Sequence, residues 1–238
     1  NKTQAANNTG EQNMISLLYE TLVKNGTALM ILHGLLVTLE ISALSVFFGT
    51  LLGTVICAFR MSRNKILHTA AKLYIAVLRG SPVFLLLMLM SYVIFARTNL
   101  SAPLIAVSAF SLNVSAHAAE CFRAALLATD KKQTEAARTL GFSKLQAFIL
   151  ITLPQAAKNA KPTYQSVIIN LIQWTSVAGY VTITDLTRVI NNISSRTMQP
   201  FIMIVTGILL YLGIAYICYG IFALSGKIAE RRNNRQAK

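Results

Sequence analysis

Two acids and two arginines inside or beside long apolar runs are candidates for a polar path, because a charged side chain is costly at membrane depth. Glu40 lies in the middle of one run, Arg79 precedes a second, and Glu120 and Arg123 follow a third. Charged groups at membrane depth usually line a polar path or pair with one another, so an acid here is a candidate for binding an ammonium group or a cationic side chain. For Glu120, Arg79 and Arg123 we favour a pairing that fixes helix packing. For Glu40 the sequence offers no partner, and a binding role and a packing role are equally open.

The other residue types that carry chemistry do not converge on a catalytic or metal site. The histidines and cysteines are scattered and form neither an HExxH nor a CxxC pattern, and the chain has no GxxxxGK[ST] loop for a nucleotide. The single tryptophan, Trp174, is a candidate for stacking on a ligand, although an anchor at the membrane interface is the favoured interpretation. We therefore expect no catalytic residue, no metal ligand and no enzyme activity in this chain. The scattered residues are His33, His68, His117, Cys57, Cys121 and Cys218.

The elements that position these residues are predicted to be membrane helices. Apolar residues make up 54% of the chain and charged residues only 13%, which is about half the charged share of a typical soluble domain. The net charge of +14 is carried by segments between the apolar runs, which is typical of the inner loops of membrane proteins rather than of a nucleic-acid-binding surface. The composition predicts an all-α integral membrane protein whose surroundings are lipid, with no nucleic-acid partner.

Five apolar stretches are long enough, alone or with a neighbouring segment, to cross a bilayer, which requires about 20 mostly apolar residues. The second stretch is short and follows a mixed segment, 66–78, that has the pattern of an amphipathic interfacial helix. Within the first, Gly49 and Gly53 form a small-xxx-small pair that is typical of close helix packing. The fourth is the least distinct, and the segment after it, 182–199, is interpreted as a polar loop. The predicted spans are 28–59, 83–96, 102–119, 162–181 and 200–224.

The charge distribution predicts how the chain is organised across the membrane. Residues 1–26 read as a polar lead-in or linker, 27–226 as the transmembrane domain and 227–238 as a basic tail. With five spans and the amino terminus outside, most lysines and arginines fall on the inner side, as the positive-inside rule requires. The polar segment at about 129–160, hereafter the coupling segment, then lies inside together with the carboxyl terminus.

The coupling segment contains a short helical hairpin with small and apolar side chains. Ala136 and Ala137 allow close approach of another surface, and Gly141 permits a left-handed turn. Such a hairpin suits rigid docking to a soluble partner, but from these residues alone an ordinary solvated hairpin is equally compatible. An apolar ridge beside Arg138 and Lys144 is formed by Leu140, Phe142 and Leu145.

The spacing of seven residues in this segment resembles the coupling-loop signature of permease subunits in binding-protein-dependent ABC importers. That signature is EAA, three residues, G, nine residues, then I-x-L-P, and every one of its positions is matched here. The matching residues are Glu135, Ala136, Ala137, Gly141, Ile151, Leu153 and Pro154.

The flanking segments resemble the polar amino acid subfamily, of the histidine and glutamine permease type. They are Arg79-Gly80-Ser81-Pro82, Ala119-Glu120-Cys121-Phe122-Arg123, Leu153-Pro154-Gln155-Ala156, Thr175-Ser176 and Glu230-Arg231-Arg232. The chain departs from the subfamily at Lys132, where KGQ is usual, and at Gln173-Trp174, where the acid-base pair of KDTSL often stands. The resemblance covers about residues 28–232, and the second departure bears on the substrate rather than on the family.

The resemblance implies a five-transmembrane-helix core of the type I ABC importer permease, which dimerises with an identical or paralogous permease subunit in a bacterial cytoplasmic membrane. ATP and Mg²⁺ would bind to a separate ABC ATPase subunit, and an extracytoplasmic amino-acid-binding protein, or a binding domain fused upstream, would deliver the substrate. Glu135 would cap or anchor the coupling helix, and Gly141 would set its turn. By the same resemblance, Thr175 and Ser176 join Trp174 and the four intramembrane charges as candidates for the substrate path.

One alternative of a different class is an ion-coupled secondary transporter of small polar solutes. It would need internal repeats or a chain of buried acids, and the sequence shows no repeat. It would have no use for the coupling-loop spacing, so the ATP-driven importer is the leading interpretation. The sequence leaves the particular amino acid open.

Overall fold

The computed structural model describes residues 26–236, with side chains through Ser225, and this part of the chain contains helices and no β-strand. Nearly all of the predicted lead-in, 1–26, lies outside the described residues. The elements are α1 (Thr27–Arg60), α2 (Lys65–Gly80), α3 (Val83–Leu89) with a π-helical turn (Met90–Ile94), α4 (Ala102–Leu127), α5 (Lys131–Thr139), α6 (Lys144–Ala147) with a π-helical turn (Phe148–Thr152), α7 (Leu153–Trp174), a 3₁₀ segment (Thr175–Val181), α8 (Leu186–Thr197) and α9 (Pro200–Gln236).

The five predicted spans correspond to three long helices and two bent pairs. Helices α1, α4 and α9 are each long and apolar enough to cross a membrane. Helices α2 and α3 are long and apolar enough to cross only as a pair, which is bent by 105°. The second such pair is bent by 57° and consists of the run from α6 to the 3₁₀ segment and of α8. The first bend follows from Pro82, which cannot continue α2 and precedes α3. Helix α9 runs on without a break into the predicted tail, 227–238.

Helices α1 and α4 pack closely because α1 turns a stripe of small residues toward the bundle and its large apolar side chains away from it. A Cβ atom on Gly49 would lie 2.6 Å from Val114 Cγ1, and one on Gly53 would lie 2.9 Å from Ala118 Cβ. Close approach of small residues is how membrane helices associate when lipid is as apolar as their side chains. The packing predicted for the glycine pair is confirmed. All but one of the buried residues of α1 are small, and they are Thr27, Gly34, Thr38, Ile41, Ser42, Ser45, Gly49, Gly53 and Cys57.

The segment interpreted as a polar loop, 182–199, is instead largely a helix, α8. Asp185 is fully buried and caps it, with its carboxylate accepting hydrogen bonds from the backbone N–H groups of Thr187 and Arg188, both at 3.1 Å. The apolar face of α8 packs against α1 and α9. The loop prediction is wrong because apolar residues recur at helical spacing among the polar ones. They are Leu186, Val189, Ile190 and Ile193.

The cap of α8 leads to a prediction about stability. We expect Asp185→Ala to lower the free energy of unfolding by about 1–2 kcal/mol, because it removes a fully buried acceptor for two N–H groups in the first turn of α8. The midpoint of thermal unfolding in detergent measures the effect. The matched control is Asp130→Ala, which removes the exposed N-cap of α5 and should lower the midpoint less. Equal shifts for the two variants would show that the buried cap stabilises the protein no more than the exposed one does.

Candidate functional site

The first helix of the coupling segment, α5, begins at Asp130. The Asp130 side chain accepts a hydrogen bond of 2.9 Å from the backbone N–H of Lys132, as expected for an N-cap. Glu135 lies in the middle of α5 and is exposed. The expectation that Glu135 caps this helix is therefore wrong, because Asp130 already occupies the capping position. An anchoring contact from Glu135 to a partner stays a prediction.

The other end of α5 is a tight turn at Gly141. Gly141 has φ of +89°, its N–H donates to the Arg138 carbonyl at 3.2 Å, and the N–H of Phe142 donates to the Ala137 carbonyl at 3.2 Å. These two bonds form a Schellman motif, in which the residue with positive φ is usually glycine. Gly141 thus sets the turn between the two helices of the hairpin, in the geometry that its position in the motif suggested.

The second half of the hairpin is held by side-chain hydrogen bonds. Ser143 begins α6 with a capping box, in which its hydroxyl accepts from the Gln146 N–H at 3.2 Å and its own N–H donates to Gln146 Oε1 at 2.8 Å. Two further bonds join α5 to the start of α7, so the hairpin is linked to a membrane helix at its base. These bonds are Thr134 Oγ1 to Thr152 Oγ1 (3.0 Å) and Gln155 Nε2 to Gln133 Oε1 (2.6 Å).

The last three residues of the motif lie where the hairpin enters α7. Ile151 is half-buried in a π-helical turn, and Leu153 and Pro154 open α7 with both side chains exposed. Proline has no N–H to continue the ladder of hydrogen bonds, and the wider π-helical turn directly before it is where the helix absorbs that loss. The motif thus ends at an irregular junction rather than in a separate helix.

The outer face of the hairpin is apolar and unpacked, whereas its inner face is filled by alanines. Ala137 and Ala147 are buried between the two halves, and Ala136 is exposed. Leu140 is 80% exposed and Leu145 is 67% exposed. Exposed apolar side chains of this size on a rigid element are typical of an interaction surface. The two alanines of the motif therefore act differently, one inside the hairpin and one on the face open to a partner.

This geometry agrees with a family assignment. Residues 45–228, most of the chain, match the family described as binding-protein-dependent transport system inner membrane component. The chain belongs to this family. The permease fold predicted from the coupling-loop spacing is thereby confirmed, and the seven motif residues all lie within the matched range.

Relatives of this permease come from several bacteria. YckA of Bacillus subtilis, a probable amino-acid ABC transporter permease, is 35% identical over 188 residues, which cover 79% of this chain and 83% of YckA. HisM of Salmonella typhimurium, from a histidine/lysine/arginine/ornithine transport system, is 30% identical over 213 residues, covering 84% and 88% of the two chains. A crystal structure of an amino acid ABC transporter with histidines has a TM-score of 0.76 at 31% identity, covering 84% of this chain and 94% of that one. The fold is that of a type I ABC importer permease.

Three of the candidate path residues come together in the permease. Arg123 Nε donates to both carboxylate oxygens of Glu120, at 3.1 and 3.0 Å, and each side chain is about one quarter exposed. Arg79 is exposed at the end of α2, close enough to interact electrostatically with Glu120 and with His117. The pairing of Glu120 with Arg123 that was favoured from the sequence is present. Among the described residues, no acid forms an ion pair with Arg79.

Trp174 lies beside this group, at the point where α7 gives way to the 3₁₀ segment. Its ring packs against His117 with centroids 5.4 Å apart. Both side chains are half-buried, so Trp174 packs on α4, and its interpretation as an interfacial anchor stays a prediction. Thr175 is fully buried, with its hydroxyl donating to the Ile172 carbonyl at 2.6 Å, and Ser176 is half-buried. Stacking of Trp174 on a substrate stays a prediction.

Glu40 stands apart from the other charged candidates. It is exposed on α1, on a face that also carries the exposed Leu36 and Phe47, and it forms no ion pair with any residue between 26 and 225. A charge at this depth needs polar surroundings. The α1 face that carries Glu40 is therefore expected to meet protein or water, rather than hydrocarbon alone, in the assembled transporter.

A buried polar network that the sequence did not single out joins α1, α8 and α9. Thr38 Oγ1 accepts a hydrogen bond of 3.1 Å from the Leu186 N–H, and the hydroxyls of Thr187 and Tyr211 are 2.9 Å apart. Hydroxyl residues inside apolar runs were a visible signal, but Thr38 and Leu186 are 148 positions apart, and spacing cannot show that they meet. Across residues 26–225, no cluster of His, Cys, Asp and Glu has the arrangement of a metal site.

Proposed function

We propose that this chain is the membrane-spanning permease subunit of an ATP-driven importer of polar amino acids. The observation that carries the proposal is the coupling segment, a capped and cross-bonded hairpin with a free apolar ridge, in a chain of the binding-protein-dependent transport family. The amino acid substrate class is supported by the names of the relatives, which include histidine, lysine, arginine, ornithine and cystine systems. The permease moves substrate inward and carries out no chemical step.

The energy comes from a separate ABC ATPase subunit, which binds ATP and Mg²⁺. Leu140 and Leu145 insert into a groove on that subunit, and the exposed Ala136 allows the two surfaces to approach closely. Because the hairpin is bonded to the start of α7 and follows α4 directly, movement of the docked ATPase is transmitted to two membrane helices at once. The path then alternates between outward-facing and inward-facing forms.

The assembly has two further parts. A second permease subunit, identical or paralogous, completes the path, and an extracytoplasmic binding protein or fused binding domain delivers the amino acid. The amino terminus lies outside and the carboxyl terminus inside a bacterial cytoplasmic membrane, which is supported by the excess of Lys and Arg on the side of the coupling segment.

Trp174, Ser176 and Arg79 lie along the substrate path. The guanidinium of Arg79 binds the α-carboxylate of the substrate.

The exposed carboxylate of Glu40 gives a prediction about substrate charge. We expect Glu40→Gln to raise the KM for cationic amino acids by about tenfold, the loss of one charged hydrogen bond, while the KM for neutral amino acids stays unchanged. The control is Glu120→Gln. Because the native Glu120 carboxylate is already paired with Arg123, this variant should not change the KM for cationic amino acids relative to that for neutral ones. Unchanged kinetics in Glu40→Gln would remove this residue from the path.

Uptake by reconstituted vesicles tests the proposed function. The permease, its ATPase subunits and its binding protein are placed in proteoliposomes, and uptake of labelled histidine, arginine, glutamine, cystine and maltose is measured with and without internal ATP. We expect ATP-dependent uptake of at least one amino acid and none of maltose. Uptake that follows a proton or sodium gradient without ATP would contradict the proposal and favour an ion-coupled carrier.

A further inference from the structure

An apolar groove opens at the end of the bundle where α1 ends and α7 begins, beside the base of the coupling segment. Its volume is about 840 Å³, and it lies between α1, α4, α7 and α9. The walls are almost entirely carbon, with Ala58, Phe122, Ala157 and Phe222 contributed by the four helices. A polar amino acid would lose its hydration there without gaining partners, so this groove is unsuited to the transported substrate.

The groove has one charged group. Lys161 is the sole charged residue among those that line it, and it is half-buried with no ion pair or hydrogen bond to any side chain described up to residue 225. A lysine can lie along an apolar wall and extend its ammonium toward the polar end. Lys158, one helical turn earlier, and Arg60, at the end of α1, add positive charge at the same end of the bundle. The groove therefore combines an apolar trough with an unpaired cation.

We propose that this groove binds an anionic phospholipid, with an acyl chain in the trough and the phosphate at Lys161. Basic pockets between membrane helices on the inner side are suited to acidic headgroups, because the cation compensates the phosphate and the hydrocarbon covers the apolar walls. The lipid would contact both α1 and the junction of the coupling segment with α7, since Phe148 and Leu153 also line the groove. Neither the leucines of the ATPase-docking ridge nor the charged candidates of the path line this groove.

Native mass spectrometry of the purified transporter, with the subunits that co-purify with it, tests the proposal. The delipidated complex is mixed with equal amounts of dioleoylphosphatidylglycerol and dioleoylphosphatidylcholine, and the adducts are counted. We expect phosphatidylglycerol to be retained preferentially, and Lys161→Gln to reduce that preference by about fivefold, the effect of one cation near an anionic headgroup. Ala157→Trp, which fills an exposed wall of the groove, should remove both adducts.

Two controls separate this site from general charge and from misfolding. Lys158→Gln removes a cation one turn away that does not line the groove, and it should lower the preference much less than Lys161→Gln does. Lys161→Arg, in a complex that elutes as a single species, should keep the preference of the native protein. Equal retention of the two lipids, or the same result for Lys161→Gln and Lys158→Gln, overturns the proposal. So does a cross-link from Ala157→Cys to the second permease, which would make the groove a subunit interface.

Discussion

Gly141→Val is expected to reduce ATP-driven uptake by at least about tenfold while leaving the amount of protein in the membrane unchanged. Gly141 has φ of +89° and closes the Schellman motif at the end of α5. A Cβ atom there would meet nothing within 4 Å, so the effect comes from the backbone and not from a clash. A left-handed conformation costs an L-residue about 1–2 kcal/mol, and a β-branched residue more, which is enough to move the hairpin out of its docking geometry. Uptake and stimulated ATP hydrolysis in proteoliposomes measure the loss.

The matched control at this position is Gly141→Asn. Asparagine visits the left-handed region more readily than other non-glycine residues, so this variant should keep most of the uptake although it also adds a side chain. Gly141→Asp also tolerates the left-handed conformation, so any loss of uptake beyond that of the asparagine variant would come from the added charge on the docking face. If valine and asparagine had the same effect, the conformation of the turn would not be what positions the hairpin.

Gly53→Leu is expected to prevent accumulation of the folded permease. A Cβ atom on Gly53 would lie 2.9 Å from both Ala118 Cβ and the Ser115 carbonyl oxygen, and these atoms belong to or are fixed by the α4 backbone. Overpacking of a well-packed site costs about 1–3 kcal/mol, and here three more carbons must also fit between two long helices. Separation of α1 from α4 would expose Cys57, which is buried at this contact. In a Cys121→Ala, Cys218→Ala background, which removes the other free thiols, reaction with a thiol-reactive dye therefore reports this separation.

Gly220→Leu is the control for that prediction. Gly220 lies on α9, where an added Cβ meets nothing within 4 Å. The substitution therefore replaces a helical glycine by leucine, as Gly53→Leu does, but without a clash. It should leave both the yield and the midpoint of the thiol-reactivity curve near those of the native protein. Equal losses for the two leucine variants would mean that α1 and α4 do not depend on close approach at Gly53.

The long helices were predictable because their signal is local. Apolar runs predicted the first residue of α1, α4 and α9 to within one position, although α4 and α9 continue beyond the predicted spans to Leu127 and Gln236. The break at Pro82 separated α2 from α3. Helix α8 was missed because its many polar residues suggested a loop. An aspartate in a capping position, Asp185, and apolar residues at helical spacing were nevertheless visible in the sequence. A short amphipathic helix that packs only on membrane helices needs periodicity, not mean hydropathy, to be recognised.

The site was predictable in its spacing but not in its orientation. The positions of Glu135 and Gly141 were recognised, and the turn at Gly141 followed from glycine chemistry. That Ala137 faces inward while Ala136 faces outward depends on how the hairpin folds back on itself, which residue type does not reveal. The packing of Trp174 on α4 likewise depends on its distant neighbour His117. Contacts between residues far apart in sequence account for most of what the sequence did not predict.

Capture of an ATPase subunit tests the central claim most directly. The permease is co-expressed with candidate ABC ATPase subunits, purified in detergent, and compared with a Leu140→Asp, Leu145→Asp double variant that places charge on the exposed ridge without altering the turn at Gly141. We predict a stable complex with the native permease and loss of the ATPase from the double variant, with both permeases equally monodisperse. A well-folded native permease that retains no ATPase, or a double variant that retains it fully, would contradict the assignment of this hairpin as the coupling element.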